Sequence, residues 1–126
     1  MKEQTIRVIK VSPMRTPEVV TLTNELKELQ KAVSIEASYV GYIECYYMED
    51  GVDLLLNEEG KLINLPLNRI VDSDIICGTF YVIGVDEESG EFCSLNEQQI
   101  EKYTKRFARL EHFGPAIEER IRAMFC

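Results

Sequence analysis

Ile75–Asp86 reads IICGTFYVIGVD and has the strongest strand character in the chain. Apolar side chains occupy both alternating faces of this run, which is typical of a strand that is buried on both sides. Gly78 and Gly84 mark positions where a strand bends or where another backbone approaches closely. The run therefore predicts the central strand of a sheet, and the neighbouring segments are expected to pair with it or pack on it.

Paired strands are predicted upstream of this run. Tyr39–Glu49 and Val52–Asn57 are rich in aromatic and aliphatic residues, and Asp50-Gly51 between them is a hairpin turn signal. A second turn is predicted over 58–61, followed by a short strand over 62–65 that a proline ends. These segments predict a sheet that is built from hairpins.

Further strands are predicted at the start of the chain and after the central run. Residues 5–12 and 17–22 predict a first and a second strand. Glu87–Gly90 predicts a third hairpin turn, which returns the chain over 91–95. Residues 67–74 have the least regular pattern, so a connection without regular structure is expected there.

Apolar residues recur at helical spacing in three places and predict helices at about 24–33, 96–110 and 116–125. Asn24 and Asn96 stand where N-cap residues are preferred, and Asn96 has a glutamine at the spacing of a capping box. These helices are expected to cover the sheet. The positions predicted to pack on it from the first two helices are Leu22, Leu26, Leu29, Val33, Ile100, Tyr103, Phe107 and Leu110.

These elements predict the α+β class with a largely antiparallel sheet. The length of 126 residues fits a single domain over 1–126, and 45% apolar with 29% charged residues excludes disordered and low-complexity classes. No apolar run is long enough to cross a bilayer, and the chain does not open with the pattern of a signal peptide. A cytoplasmic protein without a membrane contact is expected.

Charge is distributed unevenly along the chain. The net charge of −8 opposes direct binding of nucleic acid. Residues 44–91 contain twelve acids against Lys61 and Arg69, whereas residues 102–109 contain four bases and no acid. Acids at hairpin tips keep sheet edges from aggregating, but they also predict an acidic face for a basic protein partner. The predicted partner-binding residues are Glu49, Asp50, Glu58, Glu59, Asp86, Glu87 and Glu88.

Arg69 lies within the acid-rich segment and has two interpretations. As a structural residue it would form an ion pair with Asp72 or Asp74 and organise the irregular connection. As a binding residue it would join Asn68 in an anion site, because a guanidinium fork beside an amide suits phosphate or carboxylate. Tyrosines of the sheet would then stack on a nucleotide-like ligand. The ligand-binding residues of this alternative are Asn68, Arg69, Tyr46 and Tyr81.

Catalytic and cofactor sites are not indicated. The four cysteines show no C-x-x-C spacing, so reduced thiols and no metal site are expected. No phosphate-binding glycine loop occurs, and no cofactor is predicted. An enzyme that uses Cys93 as a nucleophile and His112 as its base remains an alternative, although the sequence favours a protein without enzymatic activity.

Four short motifs resemble a known family. They are Asn57–Leu62 (N-E-E-G-K-L), Leu65–Arg69 (L-P-L-N-R), Gly78–Gly84 (G-T-F-Y-V-I-G) and Phe92–Leu95 (F-C-S-L). In this order they are similar to a domain of unknown function found in small proteins of phages, conjugative elements and gut bacteria. The resemblance covers about residues 5–107 and implies such an origin without any catalytic residue. Residues of about 111–126 would be a C-terminal helical extension.

Overall fold

The structure is a computed structural model that describes residues 4–34, 42–58, 65–115, 119 and 123. Eight strands and two helices are formed within these residues. In chain order they are β1 (Thr5–Val11), β2 (Glu18–Thr23), α1 (Leu26–Ala32), β3 (Ile43–Glu49), β4 (Val52–Asn57), β5 (Leu67–Val71), β6 (Asp74–Cys77), β7 (Phe80–Val85), β8 (Phe92–Cys93) and α2 (Glu97–Arg106).

The strands form a large sheet and a small one. The large sheet has the order β2-β1-β7-β4-β3, with β8 paired to β7, and the small sheet consists of β5 and β6. Every pairing is antiparallel. A mostly antiparallel sheet with two helices fits the α+β class, and the predicted hairpins at 50–51 and 87–90 are confirmed.

The run that predicted a single central strand forms two strands in different sheets. β7 lies between β1 and β4, as expected for a strand buried on both faces. Residues 75–77 instead belong to β6, so the prediction of one continuous strand was wrong. The break falls at Gly78, which has a φ of +83°, and a Cβ there would lie 2.6 Å from the Leu65 side chain. Glycine is therefore required where the chain crosses between the sheets.

Residues 67–74 form regular structure, contrary to expectation. β5 and β6 make a hairpin whose turn residues Asp72 and Ser73 have φ angles of 48° and 68°. Two successive positive φ angles match the twist of a tight hairpin, but Asn-Gly is the usual sequence for such a turn. Asp-Ser does not give that signal, which is why the hairpin was not predicted.

The first helix is shorter than predicted and buries fewer residues. Leu29 and Val33 pack with strand residues such as Ile6 and Val8, whereas Leu26 is 60% exposed. Leu22 belongs to β2 and not to the helix. Asn24 is also not the N-cap, since that position is taken by Glu25 without a side-chain hydrogen bond. The buried Asn24 amide instead donates to the carbonyl of Phe92.

The second helix agrees with prediction at its start and along most of its buried face, but it ends at Arg106 instead of near residue 110, so Leu110 lies outside it and is only partly buried. Asn96 and Gln99 form the expected capping box. Ile100, Tyr103 and Phe107 are buried, and the Phe107 ring packs edge-on against Phe80 with 5.2 Å between the ring centroids. Residues 119 and 123 of the predicted helix at about 116–125 are helical, and its other residues lie outside the described part of the chain, as does most of the predicted strand at 62–65.

Apolar side chains form a cluster on each face of the large sheet. One cluster joins strand residues to α2 and the small sheet, and the other joins strand residues to α1. Since side chains alternate along β4, Leu54 and Leu56 belong to the first cluster and Leu55 to the second. The same alternation places Tyr46 of β3 with the first cluster and Tyr81 of β7 with the second.

Candidate functional site

Asn68 lies in the interior, at the junction of the two sheets. Its side chain is fully buried and its Nδ2 donates to the carbonyls of Val11 at 2.9 Å and Gly78 at 2.8 Å. Its Oδ1 accepts a hydrogen bond from Arg69 at 2.8 Å. We call Asn68 and Arg69 the buried polar cluster.

Arg69 is 1% exposed and uses its whole guanidinium inside the protein. Nε and Nη2 both donate to the carbonyl of Phe107, at 3.3 and 3.0 Å. Nη2 also donates to the carbonyl of Arg15 at 2.7 Å, and Nη1 contacts both oxygens of Asn68. These are five contacts for the five N–H donors of a guanidinium. An anion at this point would have to displace acceptors that already hold the fold together.

The expected ion pair of Arg69 with Asp72 or Asp74 is not among the contacts of its guanidinium. Asp72 accepts a hydrogen bond from the Tyr46 hydroxyl at 2.8 Å and lies 3.8 Å from Arg106. Asp74 accepts from the neighbouring backbone N–H. Burial lowers the pKa of the Arg69 guanidinium, while the charge of Glu111 raises it. These contacts favour the structural interpretation of Arg69, but its partners are carbonyl oxygens and not the predicted carboxylates of Asp72 or Asp74.

The two tyrosines of the small-ligand alternative lie on opposite faces of the large sheet. Tyr46 packs against the cluster that contains α2, whereas the buried Tyr81 belongs to the cluster that contains α1. Burial raises the pKa of the Tyr81 hydroxyl, with a smaller contribution from Glu18. The structure therefore does not bring Tyr46, Tyr81 and Arg69 together around one cavity.

Two acidic hairpin tips meet at one end of the large sheet. The backbone N–H of Val85 donates to the carbonyl of Gly51 at 2.8 Å, which joins the β3–β4 turn to the end of β7. The predicted residues of both tips are thereby brought to the same end. We call Glu49, Asp50, Asp86, Glu87 and Glu88 the acidic hairpin end.

Some of these carboxylates also shape the turns that carry them. Asp86 accepts hydrogen bonds from the backbone N–H groups of Glu88 at 2.9 Å and Ser89 at 3.0 Å. These two bonds, first that from Ser89, lower the pKa of Asp86. Asp50 accepts a hydrogen bond from the Tyr47 hydroxyl at 2.6 Å. Glu87 and Glu88 are exposed at the tip itself.

Glu49 connects the acidic hairpin end to α2. Its carboxylate accepts from Lys102 at 2.5 Å and from the Tyr103 hydroxyl. These bonds, the one from Lys102 first, lower the pKa of Glu49. Burial and then the bond to Glu49 raise the pKa of Tyr103.

The basic stretch of α2 is largely paired within the protein. Lys102 lies against Glu49, Lys105 pairs with Glu101 at 2.9 Å, and Arg106 faces Asp72. The charge separation seen along the sequence is therefore reduced in the folded chain, because acids from the 44–91 segment pack beside these bases.

Glu58 is separated from the other predicted partner residues. It follows β4, so it lies at the opposite end of that strand from Gly51. Glu59 lies outside the described residues. The seven predicted residues therefore do not form one continuous patch: five are at the acidic hairpin end and Glu58 is elsewhere.

Glu58 contributes to a cleft that sequence analysis did not identify. The cleft lies between the ends of β3 and β4 and the β5–β6 hairpin, and its volume is about 120 Å³. We call it the acidic cleft. It could not be predicted because the β5–β6 hairpin, which forms one wall, was expected to be irregular. Its lining residues are Glu44, Tyr46, Leu56, Asn57, Glu58, Val71, Asp74, Ile75, Ile76 and Cys77.

No disulfide joins the cysteines of the described residues. Cys45 is exposed, Cys77 is buried and Cys93 is partly buried. Burial raises the pKa of the Cys45 thiol, and the charges of Asp53 and Glu44 raise it further. Cys126 lies outside the described residues, and the pairing of Cys93 with His112 stays a prediction. Within 4–34, 42–58 and 65–115, no three His, Cys, Asp or Glu side chains are grouped to hold a metal ion.

A family model described as a domain of unknown function (DUF3846) matches residues 6–108. The chain belongs to this family. The DUF3846 match begins in β1 and extends past α2, so it includes the buried polar cluster and the acidic hairpin end. No curated protein and no solved structure matches the chain.

Membership in DUF3846 supplies a family and no activity. The phage, conjugative-element and gut-bacterial origin implied by the motifs remains an expectation. No helix in the described part of the chain is long and apolar enough to span a bilayer.

Proposed function

We propose that this DUF3846 protein is a non-enzymatic accessory module that binds a basic protein through its acidic hairpin end. The observation that carries the proposal is the hydrogen bond between Val85 and Gly51, which brings two acidic tips together. Complementary charge on a partner would speed association and select against other acidic proteins.

The availability of the carboxylates supports this location. Glu87 and Glu88 are exposed, and Asp50 is exposed beside them across the Gly51 junction. The backbone that carries them is held by the Asp86 turn and by the pairing of β7 with β8. A binding surface on an ordered turn loses less conformational entropy on association than one on a flexible segment.

The small-ligand alternative receives less support. The donors of Arg69 are engaged by backbone and amide oxygens, and Tyr46 and Tyr81 lie on different faces. The acidic cleft is also smaller than the roughly 300–1,000 Å³ of pockets that enclose drug-sized ligands. A nucleotide-like anion would moreover meet carboxylates at this cleft.

The proposal keeps a cytoplasmic location and an origin in mobile elements or gut bacteria as expectations. The net charge of −8 supports a protein partner over direct contact with nucleic acid. Reduced cysteines are expected in a reducing compartment.

Charge reversal at the tip tests the proposal. Immobilised wild-type protein and the double variant Glu87→Lys, Glu88→Lys are exposed to a lysate of the source organism at low and at high salt. Captured proteins are identified by mass spectrometry, and their association rates are then measured with purified components. We expect the variant to lose a basic partner that wild type retains at low salt and releases at high salt, because exposed charges are screened by ions.

A charge-matched variant provides the control. Glu18→Lys, Glu25→Lys changes the net charge equally, on β2 and at the N-cap of α1, and both residues are exposed. It should capture the same partner at nearly the wild-type rate, and thermal melting should show that all three proteins are folded. Equal capture by the tip variant, or equal loss in the control, would contradict a site at the acidic hairpin end.

A further inference from the structure

The acidic cleft combines two kinds of surface. Leu56, Val71, Ile75 and Ile76 supply aliphatic walls, while Glu44, Glu58 and Asp74 supply carboxylates. The Asp74 carboxylate already accepts a hydrogen bond from the backbone N–H of Ile75. Alternation along paired strands explains the combination: Glu44 lies directly opposite Leu56 in the β3–β4 register, and Glu58 follows two residues later on β4's side of the cleft.

The small sheet closes the other side of this cleft. Val71 and Ile76 belong to the cluster beneath α2, and they continue its apolar surface to the opening. Asp72 lies in the turn of the β5–β6 hairpin, and its carboxylate accepts a hydrogen bond from the hydroxyl of Tyr46 in β3. The walls are therefore joined by a hydrogen bond, so the cleft exists before any ligand arrives.

The shape and chemistry of the cleft limit what it can hold. A hydrated inorganic cation gains nothing from four aliphatic walls, and an apolar group gains nothing from the carboxylates. A cationic group on an aliphatic stem uses both surfaces, because such side chains bury the stem and keep the charge at the edge. A volume of about 120 Å³ suits one side chain and not a large ligand.

We propose that the acidic cleft receives a lysine side chain of a partner protein, with its ammonium between Glu44 and Glu58 and its stem against Leu56 and Ile76. An ammonium is a compact charge with three rotatable donors, so it can contact two carboxylates from different directions. A guanidinium is a planar fork that matches one carboxylate in a bidentate contact, so arginine fits this arrangement less well.

This inference does not depend on the acidic hairpin end. The cleft lies at the Asn57 end of β4, whereas the hairpin tip lies at its Val52 end. A single lysine can be bound whether or not the protein uses its hairpin end. The two proposals can therefore fail separately.

The test uses N-acetyl-lysine methylamide as the probe and the methyl NMR signals of the cleft as the readout. The probe is titrated into the full chain, with N-acetyl-norleucine methylamide as an uncharged match of the stem and N-acetyl-arginine methylamide as the second cation. We expect saturable shifts of the Leu56, Val71, Ile75 and Ile76 methyl signals with the lysine probe, and binding at least about tenfold weaker for norleucine. The arginine probe should bind more weakly than lysine.

Charge-neutral variants locate the ammonium. Glu44→Gln, Glu58→Gln should weaken binding of the lysine probe by at least about tenfold, while Glu28→Gln on α1 should leave it unchanged. Unchanged methyl signals in the absence of probe establish that each variant is folded. Absence of saturable shifts in wild type, equal binding of norleucine, tighter binding of arginine, or full binding by the double variant would each overturn the proposal.

Discussion

The buried polar cluster and the acidic hairpin end both consist of charged or amide side chains, but those of the cluster bind other groups inside the protein, whereas the hairpin end presents carboxylates to solvent. Arg69 makes five hydrogen bonds to four oxygen atoms inside the protein and is 1% exposed. Glu87 and Glu88 stand at a solvent-exposed tip. The contrast teaches that an arginine within a sequence motif can be buried among backbone oxygens while less specific turn residues are exposed to solvent.

The same contrast separates effects on stability from effects on binding. Among the described residues, no buried side-chain nitrogen or oxygen lacks a hydrogen-bond partner. Removing one member of the buried polar cluster must therefore leave others unsatisfied, which is costly in the interior. Changing an exposed tip residue leaves no such deficit.

The largest effect is expected for Arg69→Ala. This substitution leaves the carbonyls of Arg15 and Phe107 and the Oδ1 of Asn68 without a donor, and each unsatisfied group costs roughly 1–3 kcal/mol. The free energy of unfolding should fall by about 4 kcal/mol or more, as measured by urea denaturation.

Arg69→Lys serves as its companion. Lysine keeps the positive charge but cannot reproduce a fork that reaches acceptors in three segments. It should therefore recover little of the lost stability. A loss below about 1 kcal/mol for Arg69→Ala would show that the cluster is not structural and would break the comparison.

The next effect concerns the helix that supplies one of these acceptors. The Phe107 ring is 2% exposed and packs on Phe80, so Phe107→Ala should cost about 3–4 kcal/mol. Lys105 lies on the same helix and is exposed, so Lys105→Ala should be nearly neutral. Similar melting temperatures for the two variants would contradict the assignment of the buried face.

The smallest effect concerns pH and the acidic hairpin end. The bonds of Glu49 lower its pKa in the folded protein below the ordinary value of 4.5. Ionised Glu49 therefore adds stability above the unfolded pKa, and this stability is lost as pH falls through the folded pKa. Wild type should exceed Glu49→Gln in stability near neutral pH, and the difference should shrink in acid.

Denaturation curves across this pH range provide the measurement. Glu88→Gln is the control, since it removes a carboxylate at the same end of the sheet. Its stability relative to wild type should change little with pH. A pH-independent difference for Glu49→Gln would mean that the contacts with Lys102 and Tyr103 add no stability through the charge.

Sequence patterns predicted the elements that depend on local signals. Asp50-Gly51 marked the β3–β4 turn, and Asn96 with Gln99 marked the start of α2. Both signals act through hydrogen bonds or backbone angles within a few residues, so they can be recognised without knowing the fold. The buried face of α2 followed from its periodicity for the same reason.

The errors occurred where distant residues decide the outcome. Glycine is required at residue 78, directly after β6, because Leu65 leaves no room for a side chain, and no pattern in Ile75–Asp86 reports that contact. The role of Arg69 depends on carbonyls of Arg15 and Phe107, which are far away in sequence. The nearness of Arg69 to acids in the sequence predicts an ion pair. In the folded chain its guanidinium instead donates to carbonyl oxygens of distant segments.

The position of β7 in the large sheet has a consequence for synthesis on the ribosome. Ile9 of β1 lies opposite Val82 of β7, so β1 receives its inner neighbour only after more than seventy further residues have been added. The β1–β2 hairpin emerges before β7, and until β7 follows it has one edge of β1 unpaired and Val11 uncovered. Unpaired edges with apolar side chains attract other strands. A nascent chain that stalls before β7 is therefore expected to aggregate more readily than the complete chain.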